Sequence, residues 1–347
     1  MESFSKVLAN TLAGIFAALF VFTTALAFAL YNVEQSAFDA ELYKQALAEE
    51  NIYQRLPELI ARELTVAAQQ PERSDMLVLF RNLSEDEWRT FITQLLPPTE
   101  LRILAESGVT QIMAYINGES DSANLSLSSL KTHLASPDGV NAIYGVMKSQ
   151  PDCSLEQITA MALGQVNPSL CNPPDTFLFV DLRPIIEAQI KAFVSLVPEQ
   201  VTIISPDDAR PQELRDLRIL RTVMRLSPLA PILCLLLITV LAVRSFRDWL
   251  VWLGYPLLLA GLVSMLLGGV SGWLASGLFR FAVSPRLPET LSADIVDVFS
   301  DLMASIVHNA LSPVVLQAGV VALAGLVMVA LAMLIRMLKT RSQNQVK

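Results

Sequence analysis

Four long apolar runs decide most of what this chain can fold into. Residues 7–31 hold no charge, and the nearest charged neighbours are Lys6 and Glu34. Three further runs cover 226–243, 250–279 and 313–335. A bilayer core of about 30 Å is crossed by a helix of about 20 apolar residues. Backbone groups in hydrocarbon find no water, so such runs must bond internally as helices. The composition points the same way. Hydrophobic residues make up 53% and charged residues 17%, against about 25% charged in soluble domains. Disorder is excluded, because it needs low hydrophobicity and high charge. Three cysteines in 347 residues exclude a disulfide-dense scaffold. A net charge of −8 argues against a nucleic-acid partner, since phosphates select basic surface. The expected fold class is an all-α membrane protein. It has four transmembrane helices and a large helical extracytoplasmic domain between spans 1 and 2.

The first run also carries Ala25-Leu26-Ala27 and Ala27-Phe28-Ala29, which fit a signal-peptide cleavage pattern. Its apolar stretch exceeds the usual signal length of about 7–15 residues, so it is read as an uncleaved anchor over 1–31. Basic residues beside the spans set the orientation. Lys6 precedes the first span, Arg244 and Arg247 join the second to the third, and Arg336, Lys339, Arg341 and Lys347 follow the fourth. All fall on one side if both termini are cytoplasmic. The expectation is a multi-pass plasma-membrane protein with residues 32–227 outside and a membrane domain over 228–347 ending in a short basic cytoplasmic tail. Arg215, Arg218, Arg221 and Arg225 oppose this pattern, being on the outer side just before the second span. Glu213 and Asp216 offset them in part, and large domains translocate largely regardless of charge. Residues 32–227 hold 27 acidic and 16 basic residues, so the rest of the chain is net positive.

Cys153 and Cys171 both fall in the outer segment, and Cys234 lies inside the second span. An outer compartment sustains disulfides, so Cys153–Cys171 is expected to be bridged. The helical period recurs through this segment. It gives a helix over 38–69 interrupted at Pro57, one opened by Ser84-Glu85-Asp86-Glu87 and ended by Pro97-Pro98, and one over 99–117 closed by Asn117-Gly118. Shorter helices are expected over 128–134, 139–148, 155–163 and 181–196. An amphipathic helix over 211–226 leads into the second span. Phe177-Leu178-Phe179-Val180 is short enough to be a strand.

Chemistry-bearing motifs are sparse. There is no HExxH, Gly-x-Ser-x-Gly or P-loop, and the two histidines, His133 and His308, have no zinc spacing with cysteine. No cofactor is expected, and His133 is read as a surface residue. Arg218, Arg221 and Arg225 share a helix face at spacings of three and four. Asp294, Asp297, Asp301, Ser305 and His308 form a second stripe on an amphipathic helix at about 289–311. That stripe has three readings: a solvated acidic face, ion pairing with the arginines, or a cation site. Aspartates on one helix diverge, so a metal would need ligands from elsewhere. Asn82-Leu83-Ser84 and Asn124-Leu125-Ser126 match the N-glycosylation pattern.

Small residues mark the spans. Gly254, Gly261 and Gly268 recur at seven, with Gly272 beyond them, and Gly325 lies in the fourth span among Ala318, Ala322 and Ala332. Small residues let membrane helices approach closely, so the third and fourth spans are expected to pack together. Intramembrane charge is nearly absent from the four runs, which argues against a proton-coupled carrier. The leading functional reading is a non-enzymatic scaffold, sensor or accessory subunit. Its outer domain meets a protein partner or ligand, or a second copy of the chain. An oligomeric channel or transporter subunit is the alternative, and a membrane enzyme with a scattered site is the third. The bilayer is the one partner that composition itself requires.

Three stretches carry a resemblance. They are 38–56 (FDAELYKQALAEENIYQRL), the pair 151–153 and 171–174, and 244–261 (RSFRDWLVWLGYPLLLAG). Together they resemble an uncharacterised group of bacterial four-span membrane proteins. The resemblance implies a bacterial plasma membrane and transfers no site residue.

Overall fold

A computed structural model describes residues 2–68, 83–162, 171–172, 183–205, 211–283, 286 and 292–344. The chain is nearly all-α, with four helices long and apolar enough to cross a membrane: Val7–Ser36, Arg215–Ala242, Phe246–Gly269 and Ala293–Lys339. It divides into two compact units. The first comprises Met1–Ala46, Arg210–Leu287 and Phe299–Lys347; the second comprises Leu47–Ala209 and Pro288–Val298.

In the first unit, α1 (Glu2–Ser36) continues past Tyr31 without a break, and α2 (Ala40–Glu49) follows it. The later helices of this unit are α10 (Pro211–Leu226), α11 (Leu229–Ala242), α12 (Phe246–Gly269), α13 (Ser271–Leu278) and α14 (Ala293–Asn344). Phe20 of α1, Ile238 of α11 and Ala260 of α12 form a buried cluster, flanked by Phe16, Leu235 and Leu257. The run read as one span over 250–279 ends as α12 at Gly269. A turn at Val270 and the short α13 follow, then a π-helical turn at Phe279–Val283. The amphipathic helix at 289–311 and the fourth span are one continuous 52-residue helix, α14, which runs straight through Pro313. A proline nitrogen leaves the carbonyl four residues back without its donor. Ser312 Oγ donates to that carbonyl, Asn309 O, at 3.2 Å, so the helix continues.

The second unit begins with α3 (Ile52–Ala68). The break expected at Pro57 falls instead at Asn51, which is left-handed at φ 53°. Asparagine tolerates that conformation better than most residues. Pro57 sits inside α3. Next come α4 (Glu85–Leu95) and α5 (Pro98–Asn117). Ser84 and Glu87 form a reciprocal capping box that opens α4. Gly118, at φ 75°, closes α5, because a left-handed cap costs glycine no Cβ clash. Then follow β1 (Ala123–Ser126), α6 (Ser128–Leu134), α7 (Pro137–Ser149), α8 (Leu155–Ala162), α9 (Arg183–Leu196) and β2 (Gln200–Ile204).

Two buried clusters hold this unit. Ala61, Leu83, Trp88, Ile92 and Val146 join α3, α4 and α7. Val140, Ile186, Ile190 and Val194 join α7 to α9. The antiparallel pair β1–β2, with Leu125 opposite Val201, is a feature that hydropathy did not indicate. Four or five residues are too few to show a period, and the partner strand is distant in sequence. The strand read at 177–180 lies outside the described residues, as do Asn82 and positions 289–291. Cys153 and Cys171 form a disulfide. Backbone bonds flank it, from Cys153 N to Asn172 O at 2.8 Å and from Asn172 N to Pro151 O at 2.9 Å. Closing a loop of this size is worth about 3 kcal/mol in the chain-entropy model.

Candidate functional site: a buried charged cluster on the first span

The last turns of α1 carry polar side chains that leave solvent entirely. Asn32 is 4% exposed and Glu34 1%. Glu34 Oε1 accepts from Arg221 Nε at 2.9 Å and from Arg225 Nη2 at 2.8 Å. Its other oxygen accepts from Gln35 Nε2 at 3.1 Å. The Arg221 guanidinium also stacks 4.5 Å from the centre of the Phe38 ring, a cation–π contact that holds it in place. One helical turn separates the two arginines, so both forks reach one carboxylate. Beside this cluster the Asn32 and Gln317 amides exchange two hydrogen bonds, at 2.8 and 3.1 Å, and tie α1 to α14. Ser227 Oγ donates to Ala27 O at 3.3 Å and ties α1 to the turn between α10 and α11.

The sequence reading placed Glu34 outside the first span, as the charge that ends it. The structure puts it on the span helix, and it is the partner that two of the three striped arginines take. Arg218, the third, is exposed and makes no ion pair among the described residues. One signal in the sequence points to this arrangement. Glu34 is the first charge after a long neutral run, so it sits where a charge must be matched. Both of its oxygens are occupied by donors, so the cluster is a lock between helices and not an acid–base pair.

Asp294 pairs with Arg62, which also approaches Glu85 at 3.5 Å, all within the second unit. Asp297 and Asp301 are engaged as well. His308 is exposed. Among the described residues, no group of three His, Cys, Asp or Glu side chains is placed to hold a metal.

Gly254, Gly261 and Gly268 of α12 and Gly272 of α13 line the contact with α14, to which Gly325 belongs. A Cβ at Gly254 would lie 3.0 Å from Val329, at Gly268 3.1 Å from Val315, and at Gly272 3.2 Å from the Ala304 carbonyl. At Gly261 it would lie 2.5 Å from Ala322 N, and at Gly325 it would strike Leu258 N. The partners run backwards along α14 as the glycines run forwards along α12, so the two helices are antiparallel.

In the second unit, Ser129 Oγ donates to Glu100 at 2.5 Å, and His133 Nε2 hydrogen-bonds Gln94 O at 2.9 Å. Both groups line an open hollow of about 520 Å³. Serine and histidine are each committed elsewhere, so they do not form a nucleophile–base pair. Asn124 Nδ2 donates to Ser122 and Asn124 Oδ1 accepts from Thr202, which ties this sequon side chain into the β1–β2 pair. Burial pushes the Tyr53 phenol above its usual pKa, and the Glu106 carboxylate adds to that; burial alone raises Tyr43. Large apolar side chains are exposed at the end of α9 and on β2. Phe193 is 64% exposed, Leu196 82%, Val201 41% and Ile203 43%. Val201 and Ile203 alternate onto one face of the strand.

Comparison with known proteins finds no matching protein family, no similar curated protein and no similar solved structure.

Proposed function

We propose that this chain is a non-enzymatic interaction module of a bacterial plasma membrane, a scaffold, sensor or accessory subunit whose extracytoplasmic domain docks a protein partner. The observation that carries the reading is the set of large exposed apolar side chains at Phe193, Leu196, Val201 and Ile203, close together in the chain. Single exposed apolar residues are ordinary on soluble domains, whereas grouped ones mark contact surfaces. Gentle extraction from native membranes, followed by mass and composition of the particle, tests it. A stoichiometric second protein is expected, and Leu196→Asp with Phe193→Asp is expected to lower its recovery at least tenfold. A particle holding this chain alone sinks the partner reading and favours an oligomeric pore.

The proposed orientation has both termini cytoplasmic and residues 32–227 outside. Arg244, Arg247, Arg336 and Lys339 on one side support it, and so does the disulfide, which an oxidising compartment favours. Single cysteines placed at Asp121 and Asn344 are expected to react differently with an impermeant maleimide on intact cells. The first labels and the second does not. Labelling of both from outside rejects the topology.

A further inference from the structure

We propose that Arg215 and Arg218 bind the phosphate of an anionic phospholipid at the rim of the second span. One face of α10 and α11 runs through Ile219, Leu226, Leu229, Leu233, Leu236 and Val240, all more than half exposed. The steps along it are three, four or seven residues, so these side chains form a single stripe. Apolar and exposed over this whole length, the stripe faces acyl chains. Ile219 to Val240 rises about 32 Å at 1.5 Å per residue, which matches a hydrocarbon core of about 30 Å. Position 215 continues the stripe one turn beyond Ile219, and Arg218 stands beside it. Both therefore lie at the level where lipid phosphates begin. α11 ends at Ala242, about 36 Å from Arg218 by the same rise, and Arg244 follows just beyond it, near the opposite headgroup level of a bilayer about 40–45 Å thick in all.

The four arginines of α10 thus divide by depth. Arg221 and Arg225 lie below the rim and are matched by Glu34. Arg215 and Arg218 lie at the rim, are exposed, and make no ion pair among the described residues. They line an open hollow of about 460 Å³ with Ile219, Thr222 and Val223. A guanidinium fork matches phosphate oxygens in pairs. The apolar stripe directly below suits the acyl chains of the same molecule, which a soluble anion lacks.

The test uses the full chain in phosphatidylcholine nanodiscs, titrated with fluorescent phosphatidylglycerol. The intact protein is expected to prefer phosphatidylglycerol over labelled phosphatidylcholine. Arg215→Gln with Arg218→Gln is expected to weaken that binding about 30-fold, at about fivefold per arginine near an anionic surface. Arg215→Lys with Arg218→Lys is expected to fall between the intact protein and the glutamine pair, because the charge stays and the paired fork is lost. Both pairs leave Glu34 and its partners untouched, and an unchanged melting temperature checks the fold. Equal binding of the two lipids, or unchanged binding by the glutamine pair, overturns the proposal. Displacement of the lipid by millimolar inorganic phosphate overturns the lipid assignment and leaves a simple anion site. Displacement by a soluble acidic peptide overturns it in favour of a protein ligand.

Discussion

Glu34→Gln lowers the stability of the detergent-solubilised protein by about 3 kcal/mol, the lower end of what removing one member of a buried ion pair costs. The substitution keeps the shape and most hydrogen-bonding capacity of the side chain and removes only its charge. Two guanidinium groups then stand just below the membrane rim without a counter-ion. α11 by itself spans Leu229–Ala242, 14 residues, which rise about 21 Å. That falls short of a core of about 30 Å, so the last turns of α10 must enter the bilayer, and Arg225 enters with them. An unmatched charge there is costly. The loss is no larger because Arg225 is 61% exposed and can turn its head toward lipid headgroups. Removing Arg221 alone costs less, since Arg225 still holds the carboxylate. A double-mutant cycle over Glu34 and Arg221 isolates their coupling, expected at about 1–3 kcal/mol. Unfolding in a denaturing-detergent titration reads each value. A change below about 0.5 kcal/mol for Glu34→Gln would show that the cluster is ornamental.

Gly261→Val separates α12 from α14. The added Cβ would lie 2.5 Å from Ala322 N and 2.6 Å from Ala318 O. These are backbone atoms of a long helix, so no rotamer change relieves the overlap. The helices must move apart, and the van der Waals contact that holds membrane helices together goes with them. The expected loss is about 3 kcal/mol, at the upper end for overpacking. Gly325→Val acts in the same way against Leu258 N. Gly319→Ala is the control, because a Cβ there meets nothing within 4 Å. It is expected to be neutral or stabilising by up to about 1 kcal/mol, the usual gain of alanine over glycine within a helix. If Gly261→Val and Gly319→Ala melt alike, the close approach is not what holds the pair.

The two variants probe different links between helices. Glu34 ties α1 to α10 through charge, where a polar lock is specific in geometry. Gly261 ties α12 to α14 through shape, where the absence of a side chain is the active feature. In hydrocarbon neither link draws on the hydrophobic effect between helices, because lipid tails are as apolar as leucine.

What the sequence determined by itself was whatever depends on local pattern. Apolar length marked four spans, since hydrocarbon leaves a backbone no other choice. Helix stops were legible at Gly118 and at Pro97-Pro98, because a left-handed cap and a missing donor are properties of single residues. The spacing of Gly254, Gly261 and Gly268 marked a face on which a neighbour can sit. Only the tertiary structure decided which partner each face takes. The neutral run before Glu34 marks a charge that must be matched, but that Arg221 and Arg225 are its mates follows from which helices stand side by side. β1 and β2 were invisible for the same reason, since each short strand exists only because the other lies against it. Pro313 looked like a boundary and is not one, because the Ser312 hydroxyl covers the carbonyl that the proline leaves bare. Local chemistry is written in the order of residues, whereas pairing is settled by distances that only a folded chain possesses.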